Sequence, residues 1–217
     1  MKPHFKPVKT PLAVASVVAA AGDSRRMGRP KPLLPWGKTT VIEAIVDKLL
    51  RVRTDPCVCV VGHRQHALQA ALCQRSVYFA YNKHYATQGL LASYQLGIEA
   101  ILSQEREGGR LHAGVLLALV DQPHVPLTVF QQLLEAIERH PQDLHFPSFR
   151  RRRGHPFYLP RACWPTLLAL REPATMRDVL AHYDSQTRYV EVDDEAILLD
   201  MDTPQDYERL LARFGAA

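Results

Sequence analysis

Residues 12–20 are apolar and β-branched enough to form a strand buried on both faces of a sheet, and the run breaks at Gly22. Similar runs recur at 56–62 (PCVCVVG), 76–81 (SVYFAY) and 113–123 (AGVLLALVDQP). Between them the apolar spacing turns helical. Thr40 with Glu43 three residues on forms a capping box, followed by Val41, Ile42, Ile45, Val46, Leu49 and Leu50 on one face. Residues 63–72 read as a short helix, and a loop over 82–93 leads into a helix continuing to about Ser103. Strand–helix–strand alternation is the pattern of parallel βαβ units.

The second half predicts a helix over 126–140, a strand over 144–149, a short helix over 164–170 and a helix opened by Thr175 and Asp178. A strand over 189–192 follows, then a strand from Ile197 that delivers Asp200 and Asp202 to a helix start at Thr203-Pro204. With no internal repeat or linker, the pattern predicts a tail over 1–11 and one α/β domain over 12–217. Its architecture is a single Rossmann-like, doubly wound, mostly parallel sheet with helices on both faces.

Composition narrows the partners. The 217 residues are 47% hydrophobic, ample for one packed core, and the net charge of +5 favours anionic partners. The aromatics are scattered rather than interleaved with basic residues, which argues against a nucleic-acid stacking platform. The apolar run at 12–21 is too short to span a membrane. Cys57, Cys59, Cys73 and Cys163 lack metal-ligand spacing and read as reduced, structural thiols, which suits the cytoplasm.

The chemistry concentrates after the first strand. Its loop carries Gly22 and Gly28 among Arg25, Arg26, Arg29 and Lys31, so backbone N–H groups can approach phosphate oxygens while cations neutralise them. A solvated basic loop is the plainer alternative. No GxGxxG occurs and no Lys-Ser/Thr follows, so it is neither a dinucleotide fingerprint nor a Walker loop. Asp121 ends an apolar strand at the sheet edge where ligands sit, and fits a Mg²⁺ ligand or a turn before Pro123.

The string Ala20-Ala21-Gly22, Ser24, Arg26-Met27-Gly28, Pro30-Lys31 and Leu33-Leu34 resembles the AAGxSxRMGxPKxLL signature of the MobA-like nucleotidyltransferases. QGLLAS at 88–93, GHP at 154–156, ATMRDVL at 174–180 and DMDTPQDY at 200–207 are most similar to the cytidylyltransferases of molybdenum cofactor synthesis. Where the family has Gly before the strand-end Asp, this chain has Val120.

The resemblance implies the nucleotide-diphospho-sugar transferase type of fold, with nucleotide held by 12–125 and acceptor by 126–217. It implies transfer of CMP from CTP to a molybdopterin-type phosphate acceptor, with a recipient molybdoenzyme as a further partner. Arg26 and Lys31 would act in catalysis. Ala20, Ala21, Gly22, Ser24, Met27, Gly28, Gln88, Gly89, Ser93 and Asp121 would bind nucleotide beside them. Asp121 and Asp202 would hold Mg²⁺, with Mn²⁺ as the alternative ion and Asp200 as the alternative ligand. Gly154, His155, Pro156 and Arg177 would meet the acceptor. Three other readings stay open: an NAD(P)H-dependent oxidoreductase of the same superfamily, a transferase for another nucleotide and acceptor, and a cofactor-carrying chaperone.

Overall fold

The computed structural model describes residues 12–215, so the tail expected over 1–11 lies outside the described residues. β1 (Val14–Ala20) leads through two 3-10 turns, Arg25–Met27 and Lys31–Leu33, into a small hairpin of β2 (Pro35–Trp36) and β3 (Thr39–Thr40). Then come α1 (Val41–Arg51), β4 (Cys57–Val61), α2 (Gln65–Ala71), β5 (Tyr78–Tyr81), α3 (Leu90–Arg106) and β6 (Gly114–Leu119). The rest comprises α4 (Leu127–Arg139), β7 (Leu144–Phe149), β8 (Arg152–Arg153), β9 (Phe157–Pro160), α5 (Trp164–Ala169), α6 (Met176–Ala181), β10 (Thr187–Glu191) and α7 (Pro204–Phe214).

One eight-stranded sheet runs β10–β7–β9–β6–β1–β4–β5, with β8 hung on β7. It is the expected mostly parallel sheet with helices on both faces. β1 shows why its sequence has no polar side. Val14, Val18 and Ala20 pack with α1 and α4 on one face, while Ala15 and Val17 pack with α3 and α5 on the other. Successive strand residues point to opposite faces, so a strand covered on both sides needs apolar residues throughout. Gly97 brings α3 down onto this strand, because a Cβ there would lie 2.5 Å from Val17 Cγ1.

Three features depart from the sequence reading. β9 runs antiparallel between β6 and β7. It is only four residues long and is bracketed by Pro156 and Pro160, too short for a periodic signal. Arg150 and Arg151, both with left-handed φ (50° and 64°), form the tip of a hairpin from β7 into the two-residue β8, which the sequence reading did not include. The segment before α7 is the 3-10 turn Glu195–Leu198 followed by loop, not a strand. At the expected helix starts Glu43, Asp178 and Asp206 accept from the backbone N–H groups of Thr40, Thr175 and Thr203 respectively, at 2.7, 2.6 and 3.0 Å, and the Thr203 hydroxyl accepts in return from the Asp206 N–H at 3.2 Å. Cys57, Cys59 and Cys163 are buried, Cys73 is exposed, and all four are free. No helix among the described residues is long and apolar enough to cross a membrane.

The end of α3 is held by a buried charge. The Glu105 carboxylate accepts two bonds from Arg161, 2.8 Å each, and two from His112, at 2.8 Å from Nδ1 and 2.9 Å from the backbone N–H. Burial alone would push its pKa up, but these donors outweigh that and hold it at about 2. Glu105→Gln should cost about 2–3 kcal/mol at pH 7, read by urea unfolding. The depressed pKa makes that stabilisation complete above about pH 4.5 and lost as pH falls towards 2. The gap between wild type and variant should therefore close over that window.

Candidate active site

Ala19 pairs with Leu119 across β1 and β6, so the chain leaves both strands at the same height. The loop after Ala20 and the carboxylate of Asp121 thus meet at one edge of the sheet. The strand order also reverses here: the chain goes from β1 to β4 on one side and returns from β5 to β6 on the other. Open α/β sheets hold ligands at that switch point. A cleft of about 380 Å³ opens there, lined by Ala21, Gly22, Ser24, Lys31, Gln88, Gly89, Ser93 and Asp121 among others. A Cβ at Gly22 or Gly89 would meet no protein atom within 4 Å, so the space beside both glycines is open.

The loop is braced from within. Ser24 sits at φ 55°, the Met27 N–H donates to the Ser24 carbonyl at 3.0 Å, and the Gly28 N–H donates to the Arg25 carbonyl at 3.3 Å. The Ser24 Oγ accepts from the Lys31 N–H at 3.1 Å, which fixes the second turn against the first. The Lys31 ammonium then lies 3.1 Å from Asp202 Oδ1 and 3.4 Å from Asp121 Oδ2, with 11% of its side chain exposed. Arg26, largely exposed, reaches the other oxygen of Asp202 at 3.1 Å.

Asp121 and Asp202 meet because the segments carrying them are tied together. Gln122 Nε2 donates to Asp200 Oδ1 at 2.9 Å, and His124 Nε2 donates to the Ala196 and Leu199 carbonyls at 3.1 and 3.0 Å. Burial holds the His124 pKa down at about 4, so the ring is neutral at pH 7 and bonds as a dipole. The Lys48 ammonium donates to the Pro123 carbonyl from the opposite side. Burial raises the Asp121 pKa; Lys31 opposes the rise, while Asp200 and Asp202 add to it.

The carboxylates fit a divalent cation. Asp121 Oδ1 is buried without a hydrogen-bond partner, an acceptor oxygen awaiting a cation or donor. No cluster of three or more His, Cys, Asp or Glu suited to a metal occurs among the described residues. An ion would therefore need ligand oxygens beyond the protein's, the habit of Mg²⁺ at phosphate sites.

Residues 16–188 match the MobA-like NTP transferase domain. The chain belongs to the MobA-like NTP transferase family. This MobA-like chain is 26% identical over 196 residues to the molybdenum cofactor cytidylyltransferase of Escherichia coli K12, covering 90% of this chain and 94% of that one. It is 28% identical over 210 residues to the nicotine blue oxidoreductase of Paenarthrobacter nicotinovorans, covering 91% and 96%. A Mycobacterium tuberculosis H37Rv protein, solved in complex with manganese, superposes with a TM-score of 0.71 at 26% identity, covering 94% of this chain and all of that one. The chain is thus a nucleotidyltransferase by family.

Several residues of the MobA-like signature sit elsewhere than at the cleft. Ala20 is buried within β1. Met27 is buried against Leu34, Trp36, Val41, Met201, Tyr207 and Leu210, a small core beneath the loop. Gly28, at φ 66°, closes a turn with its own N–H. The backbone N–H groups of Met27 and Gly28 are therefore engaged within the loop rather than free for phosphate.

On the acceptor side, Gly154 is a packing residue: a Cβ would lie 2.2 Å from the Ile197 carbonyl oxygen, and its N–H donates to Pro147 at 2.9 Å. Pro156 is buried. His155 stands edge-on to Phe157 and is held neutral, its pKa lowered to about 4 by burial, so it carries no positive charge for a phosphate at pH 7. Arg177 shares a separate hollow with Arg153, Leu180, Ala181 and Asp184.

Sequence reasoning missed Asn82 and Tyr85, which also line the cleft, and the ties from Gln122 and His124. Gln122 and His124 flank Pro123 directly after Asp121, the one signal pointing to them.

Met27 and Arg26 separate structural from electrostatic roles. Met27→Ala should lower stability by about 2–4 kcal/mol through a cavity under the loop. Arg26→Ala, at an exposed side chain, should leave the melting temperature within about a degree of wild type. Thermal denaturation of both variants checks this.

Proposed function

We propose that this chain transfers CMP from CTP to the phosphate of a molybdopterin-type acceptor, releasing pyrophosphate. The observation that carries the reading is the meeting at Lys31, on the wall of one cleft, of a braced cationic loop with Asp121, which also lines the cleft, and Asp202, which bonds to Lys31 from outside that lining, in a chain of the MobA-like family. The choice of CTP and of the acceptor rests on the signature segments and on the similarity to the Escherichia coli cytidylyltransferase.

An oxygen of the acceptor phosphate attacks the α-phosphorus of the nucleotide. One P–O bond forms, the bond to the β-phosphate oxygen breaks, and pyrophosphate leaves in line. The nucleophile is already ionised, so no general base is needed; catalysis is positioning and charge neutralisation. The open backbone at Gly22 and Ser24 receives phosphate oxygens, and Lys31 and Arg26 neutralise charge on the α-phosphate and the departing pyrophosphate. Asp121 and Asp202 would hold a divalent ion, Mg²⁺ or Mn²⁺, which when bound supplies Lewis-acid stabilisation of phosphate charge. Gln122 and His124 keep Asp121 facing Asp202.

In this reading residues 12–125 serve the nucleotide and 126–217 the acceptor, where neutral His155 offers a hydrogen bond rather than a charge. Buried free thiols and the phosphate chemistry suit a reducing cytoplasm.

The test is a panel of nucleoside triphosphates with Mg²⁺ and a pterin phosphate acceptor, followed by pyrophosphate release. CTP should lead the panel. Consumption of NAD(P)H with no pyrophosphate would favour the oxidoreductase reading instead. Acceptor binding without turnover, unaltered in Asp121→Asn, would favour a carrier.

Asp121→Asn and Asp202→Asn should each depress turnover by at least about tenfold and raise the Mg²⁺ requirement. The double variant should cost much less than the two effects combined, because one ion cannot be lost twice. Additive losses in a Mg²⁺ titration would count against a shared ion.

A further inference from the structure

We propose that Lys31 is the resident cation of the metal seat: its ammonium occupies the place between Asp121 and Asp202 until nucleotide draws it away. A divalent ion then binds tightly only after, or together with, nucleotide. The inference rests on the metal reading above and concerns the order in which that site fills.

The geometry sets two positively charged groups in competition. The ammonium touches one oxygen of each carboxylate, at 3.4 Å on Asp121 and 3.1 Å on Asp202. An ion coordinated by these carboxylates would stand about 2.0–2.1 Å from their oxygens, the space against which Nζ now rests. Both cations cannot share that seat in a half-buried cleft, where repulsion is screened less than in water.

The local charge count agrees. Lys31 and Arg26 offset most of the charge of Asp121, Asp202 and nearby Asp200, so a bare divalent ion arriving beside them would turn the site from negative to positive. Triphosphate brings the missing negative charge and offers the ammonium a second partner. Lys31 lines the same cleft as Gly22 and Ser24, so phosphate lies within its compass. Its backbone stays in place, tied by its N–H to Ser24 Oγ and by its carbonyl to the Leu34 N–H, so the exchange needs only rotation of a flexible side chain. Arg26 is no substitute, since its guanidinium touches Asp202 alone of the two acids and stays largely in solvent.

Mn²⁺ binding followed by electron paramagnetic resonance tests this without turnover. Wild type, Lys31→Met and Lys31→Gln are titrated with Mn²⁺ alone and with CTP, against a protein-free CTP control. Melting curves verify that each variant folds. With Mn²⁺ alone, both variants should bind at least about tenfold tighter than wild type, since the competing charge is gone. CTP should tighten Mn²⁺ binding to wild type by a similar factor and to the variants by much less.

Equal affinity of wild type and folded variants for Mn²⁺ alone would overturn the proposal while leaving the metal reading intact. Absence of any Asp121-dependent Mn²⁺ binding to wild type with CTP, read against Asp121→Asn, would overturn the metal reading and this inference with it.

Discussion

The parallel pairing of β1 with β6 is the constraint on which the rest of the site depends. Parallel neighbours require crossovers, and a chain that crosses over one face to β4 and returns over the other to β6 leaves a crevice between β1 and β6. The register of Ala19 with Leu119 sets the cationic loop and Asp121 at a common height. A shift of one residue would exchange the two buried faces of β1, each already filled by helices, so packing holds the register that the chemistry uses.

Pairing alone leaves Asp202 unplaced, because it lies on a loop rather than a strand. Short polar ties do that work. Gln122 grips Asp200, His124 spans the Ala196 and Leu199 carbonyls, and Tyr207 donates to the Pro35 carbonyl at 2.8 Å. Each engages backbone or a carboxylate that would otherwise be poorly satisfied, which makes the junction between the β6 end and the C-terminal segment specific. Charge repulsion among Asp121, Asp200 and Asp202 opposes the arrangement, and Lys31 relieves it.

The long elements were legible in the sequence, and for a physical reason: strands buried on both sides and helices buried on one carry periodic apolar patterns. The helix starts were equally legible, since they depend on residues three apart. β9 was not, because four residues that follow one proline and end on another carry no period, and its antiparallel place is set by β6 and β7. The strand expected before α7 failed because an apolar run of four carries too little period to tell a strand from a turn, and it packs as a 3-10 turn with Ala196 and Ile197 buried. Within the site, the signature marked Gly22, Ser24 and Lys31 at the cleft, yet the same string contains Met27, whose apolar side chain turns inward. A motif records what a loop needs, including its foundation, and does not separate ligand contacts from support.

That foundation has a consequence for a growing chain. The small core under the loop joins Met27, Leu34, Trp36 and Val41 to Met201, Tyr207 and Leu210, and Tyr207 bonds to Pro35 across a separation of 172 residues. During synthesis the N-terminal strands and their helices can assemble as they emerge, but the loop lacks its floor until α7 has been made. Its arginines and Lys31 would meanwhile stand over an unfilled apolar hollow. The cationic loop therefore emerges before its floor exists, and its packing is complete only once α7 has been made.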